Sequence, residues 1–154
     1  MIGIRVYADT SVFGGIYDDD FQDESKEFFE EVKKSRFTLI TSAVVQAEIE
    51  PAPKKVKLFF NDIIKNAEIV DISKEALQLR DAYLKAGIVP PKYSDDALHV
   101  ALACVSNCSL IVSWNFKHIV HFEKIPLYNA INILNGYSEI KIFSPFEVIK
   151  YEED

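Results

Sequence analysis

The sequence has few basic residues and no long hydrophobic run. Seventeen lysines and arginines stand against 24 aspartates and glutamates in 154 residues, which gives a formal net charge of −7. A broad basic surface that coats nucleic acid is therefore not expected, although a local basic rim remains open. No apolar stretch approaches the roughly 20 residues that cross a bilayer, and the N-terminus lacks a signal-peptide pattern. We expect a cytoplasmic protein without membrane contact.

Cysteine is also scarce. The two cysteines, Cys104 and Cys108, are four residues apart in an apparent helix, which favours reduced, buried thiols over a disulfide. No second cysteine or histidine pair completes a zinc site. With 49% hydrophobic and 12% aromatic residues, the chain has the composition of one globular domain spanning residues 1–154, and disordered and disulfide-scaffold classes are excluded.

Short apolar runs alternate with helical patterns along the chain. The runs predict strands at residues 4–8, 37–42, 68–72, 109–113 and 140–143. Helical patterns occupy residues 25–34, 43–49, 54–66, 73–87, 97–105 and 127–134, with a last turn from residue 144. Because strand–helix alternation implies right-handed crossovers, the sequence predicts an α/β fold with three layers, α/β/α, around a central parallel sheet.

Polar side chains follow two of the predicted strands. Asp9 comes directly after the first strand, and Asn115 lies two residues past the strand that ends at Ser113. Asp96 stands at the start of the helix that enters that strand, and Glu48 lies in the short helix after the second strand. Ligands of open α/β sheets bind outside the carboxyl ends of the strands, so the topology can bring these four residues together.

A carboxylate cluster of this kind needs a proton or a cation, because its members repel one another. A set of oxygen ligands without thiolates selects Mg²⁺ or Mn²⁺. Taken singly, each acid is better explained by an ordinary role, which is a turn cap for Asp9, a solvated helix position for Glu48 and a helix N-terminus for Asp96. Glu48 and Asp96, however, stand among apolar helix neighbours, where we expect them to be mostly buried and to need a partner.

Four segments of the chain together resemble the PIN domain family. They are VYADTSVF at 6–13, AEI at 47–49, DDALHVALA at 95–103 and IVSWNFKH at 111–118, and the likeness extends from residue 5 to about residue 146. The resemblance implies an α/β/α fold and a Mg²⁺- or Mn²⁺-dependent nuclease, among which are the VapC-type ribonuclease toxins. It further implies an RNA substrate, a small antitoxin protein as partner and a homodimer.

The resemblance also assigns the site residues. The first three acids of the family fall on Asp9, Glu48 and Asp96, with Asp95 as the alternative register for the third. The fourth acid, commonly an aspartate, falls on Asn115, whose neutral oxygen favours a single metal ion over two. Asp9 and Asp96 would bind the metal that activates a water, and Glu48 would bind metal or orient that water.

Asn115 also motivates a second function, a catalytically weakened PIN domain that binds RNA or a protein partner without cleaving. A phosphatase-like use of the acids ranks below both, because its accompanying motifs are absent from the sequence. Thr10 and Ser11 fit either a phosphate contact or a plain turn. His99 fits a satisfied core histidine that hydrogen-bonds an acid, whereas His118 is expected to be exposed and near a phosphate.

Two further groups of residues bear on partners. Lysines near the acids suggest a basic rim or a solvated surface, and they are Lys54, Lys55, Lys57, Lys92 and Lys117. Four phenylalanines exceed what one helix stripe needs and suggest a homodimer interface, and they are Phe28, Phe29, Phe59 and Phe60. Trp114 fits packing at a strand end or stacking on a base.

Overall fold

The computed structural model describes residues 3–149, which are built around one parallel sheet. Its five strands are β1 (Ile4–Ala8), β2 (Phe37–Ser42), β3 (Glu68–Val70), β4 (Leu110–Val112) and β5 (Lys141–Phe143). Their order is β3-β2-β1-β4-β5, and every pairing is parallel. The predicted α/β fold with a central parallel sheet is confirmed, and three of its five strands are one or two residues shorter than expected.

Helices connect the strands. They are α1 (Thr10–Gly15), α2 (Gln22–Lys33), α3 (Ala43–Ile49), α4 (Lys54–Ile63), α5 (Lys74–Lys85), α6 (Ser94–Val105), α7 (Ile125–Leu134) and α8 (Pro145–Val148). Helices α5, α6 and α7 pack together on one side, while α1, α2, α4 and α8 pack together on the other. The right-handed crossover rule places these two groups on opposite faces of the sheet. None of the helices in residues 3–149 combines the length and apolar character needed to cross a membrane.

Local signals account for several helix starts. Ser42 accepts a hydrogen bond from the Val45 amide and caps α3, as its position before that helix predicts. Ser73 caps α5 in the same way through the Ala76 amide. Helix α6 is buried along almost its whole length after Asp96, which explains its nearly continuous apolar sequence. These caps anchor helix ends close to the carboxyl edge of the sheet.

Helix α1 departs from the expected polar turn after β1. It begins at Thr10, immediately after the N-cap residue Asp9, and includes Gly14 and Gly15. A Cβ atom on Gly15 would lie 2.4 Å from Ser25 Oγ and 2.8 Å from Trp114 Nε1. Gly15 therefore permits the close approach of α1 to α2 and to the segment after β4.

Two further expectations are corrected by burial and position. Cys108 lies beyond the end of α6, just before β4, although both cysteines are free and buried as predicted. Phe28, Phe29 and Phe60 are at most 3% exposed, because they form the core between the sheet and the α1–α2–α4 layer. Phe59 is partly buried against that core. These side chains are core residues, so they do not support the homodimer interface suggested from composition.

Candidate active site

Asp9 lies at the carboxyl end of the central strand β1 and is only 4% exposed. Its Oδ1 accepts a hydrogen bond from Ser11 Oγ at 2.6 Å, and its Oδ2 accepts one from Ser113 Oγ at 2.6 Å. Burial raises the pKa of Asp9 above its ordinary value; the charge of His99 and the two serine hydrogen bonds only partly oppose this effect. Asp9 is thus a buried carboxylate whose ionised form a nearby cation would stabilise.

Glu48 is more exposed than its apolar neighbours suggested. Its side chain is 35% exposed, and Ala47 beside it is also exposed, so the expectation of a mostly buried acid is wrong. The expected partners are nevertheless present, because Thr10 Oγ1 donates to Oε1 at 2.8 Å and His99 Nε2 lies 2.6 Å from the same oxygen.

His99 is a buried, hydrogen-bonded core histidine, which is one of the roles that the sequence suggested. It is 2% exposed, and its Nδ1 lies 2.7 Å from the hydroxyl oxygen of Tyr7. Burial disfavours the charged ring, but the hydrogen bond that His99 donates to Glu48 and the charges of Asp9, Glu48 and Asp96 outweigh burial and raise the pKa of His99. Three of the predicted acids therefore act electrostatically on one histidine.

The link between Glu48 and His99 also affects the acid. Partial burial opposes ionisation of Glu48, but the hydrogen bonds from His99 and Thr10 and the charge of His99 hold its pKa below the ordinary value. Glu48 is consequently a carboxylate at neutral pH.

Asp96 lies in the first turn of α6 with 23% of its side chain exposed, whereas Asp95 is exposed. The Oδ2 atom of Asp96 lies 2.9 Å from Nδ1 of His118. His118 was expected to be exposed, but it is only 7% exposed, because its ring packs 3.9 Å from the Tyr93 ring and its backbone oxygen accepts from the Tyr128 hydroxyl at 2.7 Å.

Asn115 follows β4 at the same edge as Asp9, as predicted. Its Oδ1 accepts a hydrogen bond from the backbone amide of His118 at 2.9 Å. The backbone amide of Asn115 donates to Ser113 Oγ, also at 2.9 Å. The side-chain oxygen therefore closes the turn that carries His118. Trp114 packs at the strand end, stacked on Phe21 with ring centroids 4.2 Å apart.

Sequence reasoning missed Ser113 and Tyr7. Ser113 bonds Asp9 directly, and Tyr7 bonds both His99 and Ser42. Side chains alternate along a strand, so Tyr7 shares a face of β1 with the position of Asp9, and a buried tyrosine hydroxyl requires a polar partner. That alternation was the available signal for Tyr7.

The oxygen atoms at this edge fit a divalent cation in chemical type. Among residues 3–149, no three or more His, Cys, Asp and Glu side chains stand at ligating distance of a common point. Mg²⁺, however, keeps several waters and is commonly held by one or two carboxylates. Glu48 Oε2 and Asp96 Oδ1 accept no hydrogen bond from the described residues, so each carboxylate retains an oxygen that can bind.

Known structures share this architecture. A VapBC2 complex from Rickettsia felis, bound to a promoter DNA fragment, contains a chain of 15% identity with a TM-score of 0.59, covering 92% of this chain and 98% of that one. A DNA-bound VapBC from Salmonella typhimurium is 19% identical, with the same TM-score and coverage. VapC20 from Mycobacterium tuberculosis, a Sarcin-Ricin loop cleaving toxin, is 11% identical with a TM-score of 0.52, covering 88% and 98% of the two chains.

At these identities the structural matches establish the fold. No curated protein sequence is significantly similar to the chain. The model of the PIN domain family matches residues 6–119, which is most of the chain and includes all four of the predicted site residues. The chain therefore belongs to the PIN domain family.

Proposed function

We propose that this PIN domain is a Mg²⁺- or Mn²⁺-dependent endoribonuclease that hydrolyses RNA phosphodiester bonds. The observation that carries the proposal is the buried carboxylate of Asp9 at the end of the central strand, which interacts electrostatically with His99 and Glu48, while Asp96 acts on the same histidine. Perturbed acids gathered at the ligand-binding edge of a sheet are typical of functional sites. Family membership supports the same activity class.

Each residue has a proposed role. Asp9 and Asp96 hold the cation, Glu48 binds it or orients the attacking water, and Asn115 contributes at most a neutral oxygen. When bound, the cation supplies the charge that acidifies a water and offsets negative charge on the phosphodiester. Ser11 and Ser113 hold the Asp9 carboxylate through both of its oxygens, so its orientation is set before the cation binds.

A small basic surface beside Asp96 suits the RNA. Lys92 Nζ lies 5.0 Å and Lys117 Nζ 5.8 Å from the centroid of the Tyr93 ring, which in turn packs on His118. Two lysines beside one aromatic ring suit a phosphate and a stacked base. On a chain with a net charge of −7, this local rim would offset the repulsion of the acids for the RNA backbone. We assign these residues to substrate contact.

We further propose that the protein is the toxin of a toxin–antitoxin pair, with a small antitoxin protein as its partner. The VapBC structures that share its fold contain such partners, which supports the proposal. Expression together with the product of the neighbouring gene should yield one complex in size-exclusion chromatography and should suppress cleavage. The homodimer stays a prediction, to be measured by sedimentation of the isolated chain.

The direct test is cleavage of a 5′-labelled single-stranded RNA with Mn²⁺ or Mg²⁺. We expect metal-dependent cleavage that EDTA abolishes and that Asp9→Asn lacks. A ligand that binds only the folded state at 100 times its dissociation constant stabilises it by about 2.7 kcal/mol, so Mn²⁺ should also raise the Tm. A wild-type Tm that does not respond to Mn²⁺, together with no cleavage, contradicts the nuclease.

One observation favours the second function, binding without cleavage. The Asn115 oxygen, at the position of the fourth acid, already accepts the His118 amide, so this position brings no charge to the cation. RNA binding in a filter assay without any metal-dependent cleavage would support the weakened PIN domain. Cleavage that Asp9→Asn abolishes would reject it.

A further inference from the structure

A buried chain of hydrogen bonds runs from the core to the acid site. Ser42 Oγ lies 2.7 Å from the Tyr7 hydroxyl, and that hydroxyl lies 2.7 Å from His99 Nδ1. On the other side of the ring, His99 Nε2 lies 2.6 Å from Glu48 Oε1, which also accepts from Thr10. The chain joins β1, β2, α6 and α3 to one carboxylate.

The donors and acceptors along this chain are consistent. An ionised Glu48 can only accept, so His99 Nε2–H donates to it. In the neutral ring, Nδ1 accepts from Tyr7, and Tyr7 accepts from Ser42. In the charged ring, Nδ1–H donates to Tyr7, which donates to Ser42. The contact to Glu48 is the same in both states, so it does not depend on the protonation of His99.

The residues behind this contact are buried, whereas Glu48 is not. Tyr7 and Ser42 are fully buried and His99 is 2% exposed, whereas Glu48 itself lies on a partly exposed helix. A half-exposed glutamate samples several rotamers unless it is held, and holding costs side-chain entropy. Both of its hydrogen bonds fall on Oε1, which leaves Oε2 for the site. The buried residues Ser42, Tyr7 and His99 thus determine where Oε2 of Glu48 lies.

We propose that Tyr7 and His99 are positioning residues that hold Glu48 for the reaction. This inference rests on the proposed metal-dependent cleavage. Groups that hydrogen-bond a functional carboxylate orient it, and their loss commonly lowers metal affinity or activity by about 10- to 100-fold. Neither residue contacts the RNA in this scheme, so their loss should lower kcat and weaken Mn²⁺ binding while KM for RNA stays unchanged.

Two substitutions of the same histidine separate positioning from packing. The side-chain amide of glutamine reaches the place of Nε2, so His99→Gln keeps a donor toward Glu48. The shorter amide of asparagine reaches the place of Nδ1, so His99→Asn keeps the Tyr7 contact and loses the Glu48 contact. We expect His99→Asn to lose about tenfold in kcat and in Mn²⁺ affinity, and His99→Gln to lose less than about threefold.

Tyr7→Phe removes one hydroxyl with little change in volume and should lower both kcat and Mn²⁺ affinity by about three- to tenfold. Its matched control is Tyr83→Phe, because Tyr83 is equally buried and its hydroxyl bonds Asn132 between α5 and α7, away from the acids. Circular dichroism checks folding, and Mn²⁺ binding is followed by electron paramagnetic resonance, which needs no cleavage. The control should retain wild-type affinity.

The outcomes distinguish this inference from the proposed function. If the wild type binds Mn²⁺ and cleaves RNA, but His99→Asn matches His99→Gln and Tyr7→Phe matches Tyr83→Phe, the positioning role is wrong and the nuclease stands. If the wild type neither binds Mn²⁺ nor cleaves, both fail. A loss confined to His99→Asn and Tyr7→Phe, in kcat and Mn²⁺ affinity with KM unchanged, supports the positioning role.

Discussion

Asp96 Oδ2 lies 2.9 Å from Nδ1 of His118, so the first turn of α6 is tied to the segment that follows β4. Asp95, its neighbour, is exposed and makes no such contact with a described residue. The geometry therefore favours Asp96 over the alternative register as the third acid of the site.

Asp96→Asn should abolish metal-dependent RNA cleavage while Asp95→Asn retains it. Both substitutions remove one charge from the same helix turn and keep the side-chain volume, so each serves as the control for the other. Cleavage assays with Mn²⁺ measure the difference. An inactive Asp95→Asn beside an active Asp96→Asn would show that the register is shifted by one residue.

Asp9→Asn should raise the Tm of the metal-free protein at pH 7. Because burial raises the folded-state pKa of Asp9, its ionisation opposes folding once the pH exceeds the ordinary value of 3.8. This cost is absent below that value and grows as the pH rises through the raised pKa. The gain of the variant should therefore shrink toward pH 4 in thermal melts, and a gain that is equal at pH 4 and pH 7 would contradict the raised pKa of Asp9.

Asn115→Asp should tighten Mn²⁺ binding and lower the Tm of the metal-free protein. An aspartate oxygen can still accept the His118 amide, so the turn is preserved while a charge is added to a residue that shares Ser113 with Asp9 and His118 with Asp96. Asn115→Ala is the control, because it removes the turn-closing bond, at a cost of about 1 kcal/mol, without adding charge. Unchanged Mn²⁺ affinity in Asn115→Asp would place Asn115 outside the metal site.

Gly14→Ala and Gly15→Ala should have opposite effects on stability. At Gly14 a Cβ meets nothing within 4 Å, so alanine should stabilise α1 by about 0.5–1 kcal/mol. At Gly15 it would push between Ser25 Oγ and Trp114 Nε1, which form a 2.8 Å hydrogen bond, so a loss of about 1–3 kcal/mol is expected. Urea unfolding measures both, and equal effects would contradict the close approach of α1.

Lys92→Gln with Lys117→Gln should weaken RNA binding on the non-cleaving Asp9→Asn background. For single strands, each lost phosphate contact should reduce the slope of log K against log salt by about 0.7. Lys33→Gln with Lys85→Gln makes the same change in net charge at exposed lysines in the last turns of α2 and α5 and should leave binding unchanged. RNA binding is measured by fluorescence polarisation. Equal losses of RNA affinity in the two double variants would show that net charge alone accounts for the effect.

The sequence was most informative where periodicity and position decide the structure. Alternation of apolar runs and helical patterns predicted the parallel sheet, and the carboxyl-end rule placed Asp9 and Asn115 at one edge. The partner of Glu48 was harder to predict, because His99 is 51 residues away and its ring orientation depends on packing against Tyr7. Exposure of Glu48 and burial of His118 likewise follow from tertiary packing, which local hydrophobicity does not encode.

The bond between Asp9 and Ser113 joins positions 104 residues apart in the chain. During synthesis the N-terminal part of a protein emerges first, so β1, β2 and β3 leave the ribosome well before β4. A nascent chain that has not reached Ser113 has no hydroxyl for Asp9 Oδ2 and no strand on that side of β1. The hydrogen-bonded surroundings of Asp9 are consequently completed late in translation, and a fragment that ends before β4 lacks them.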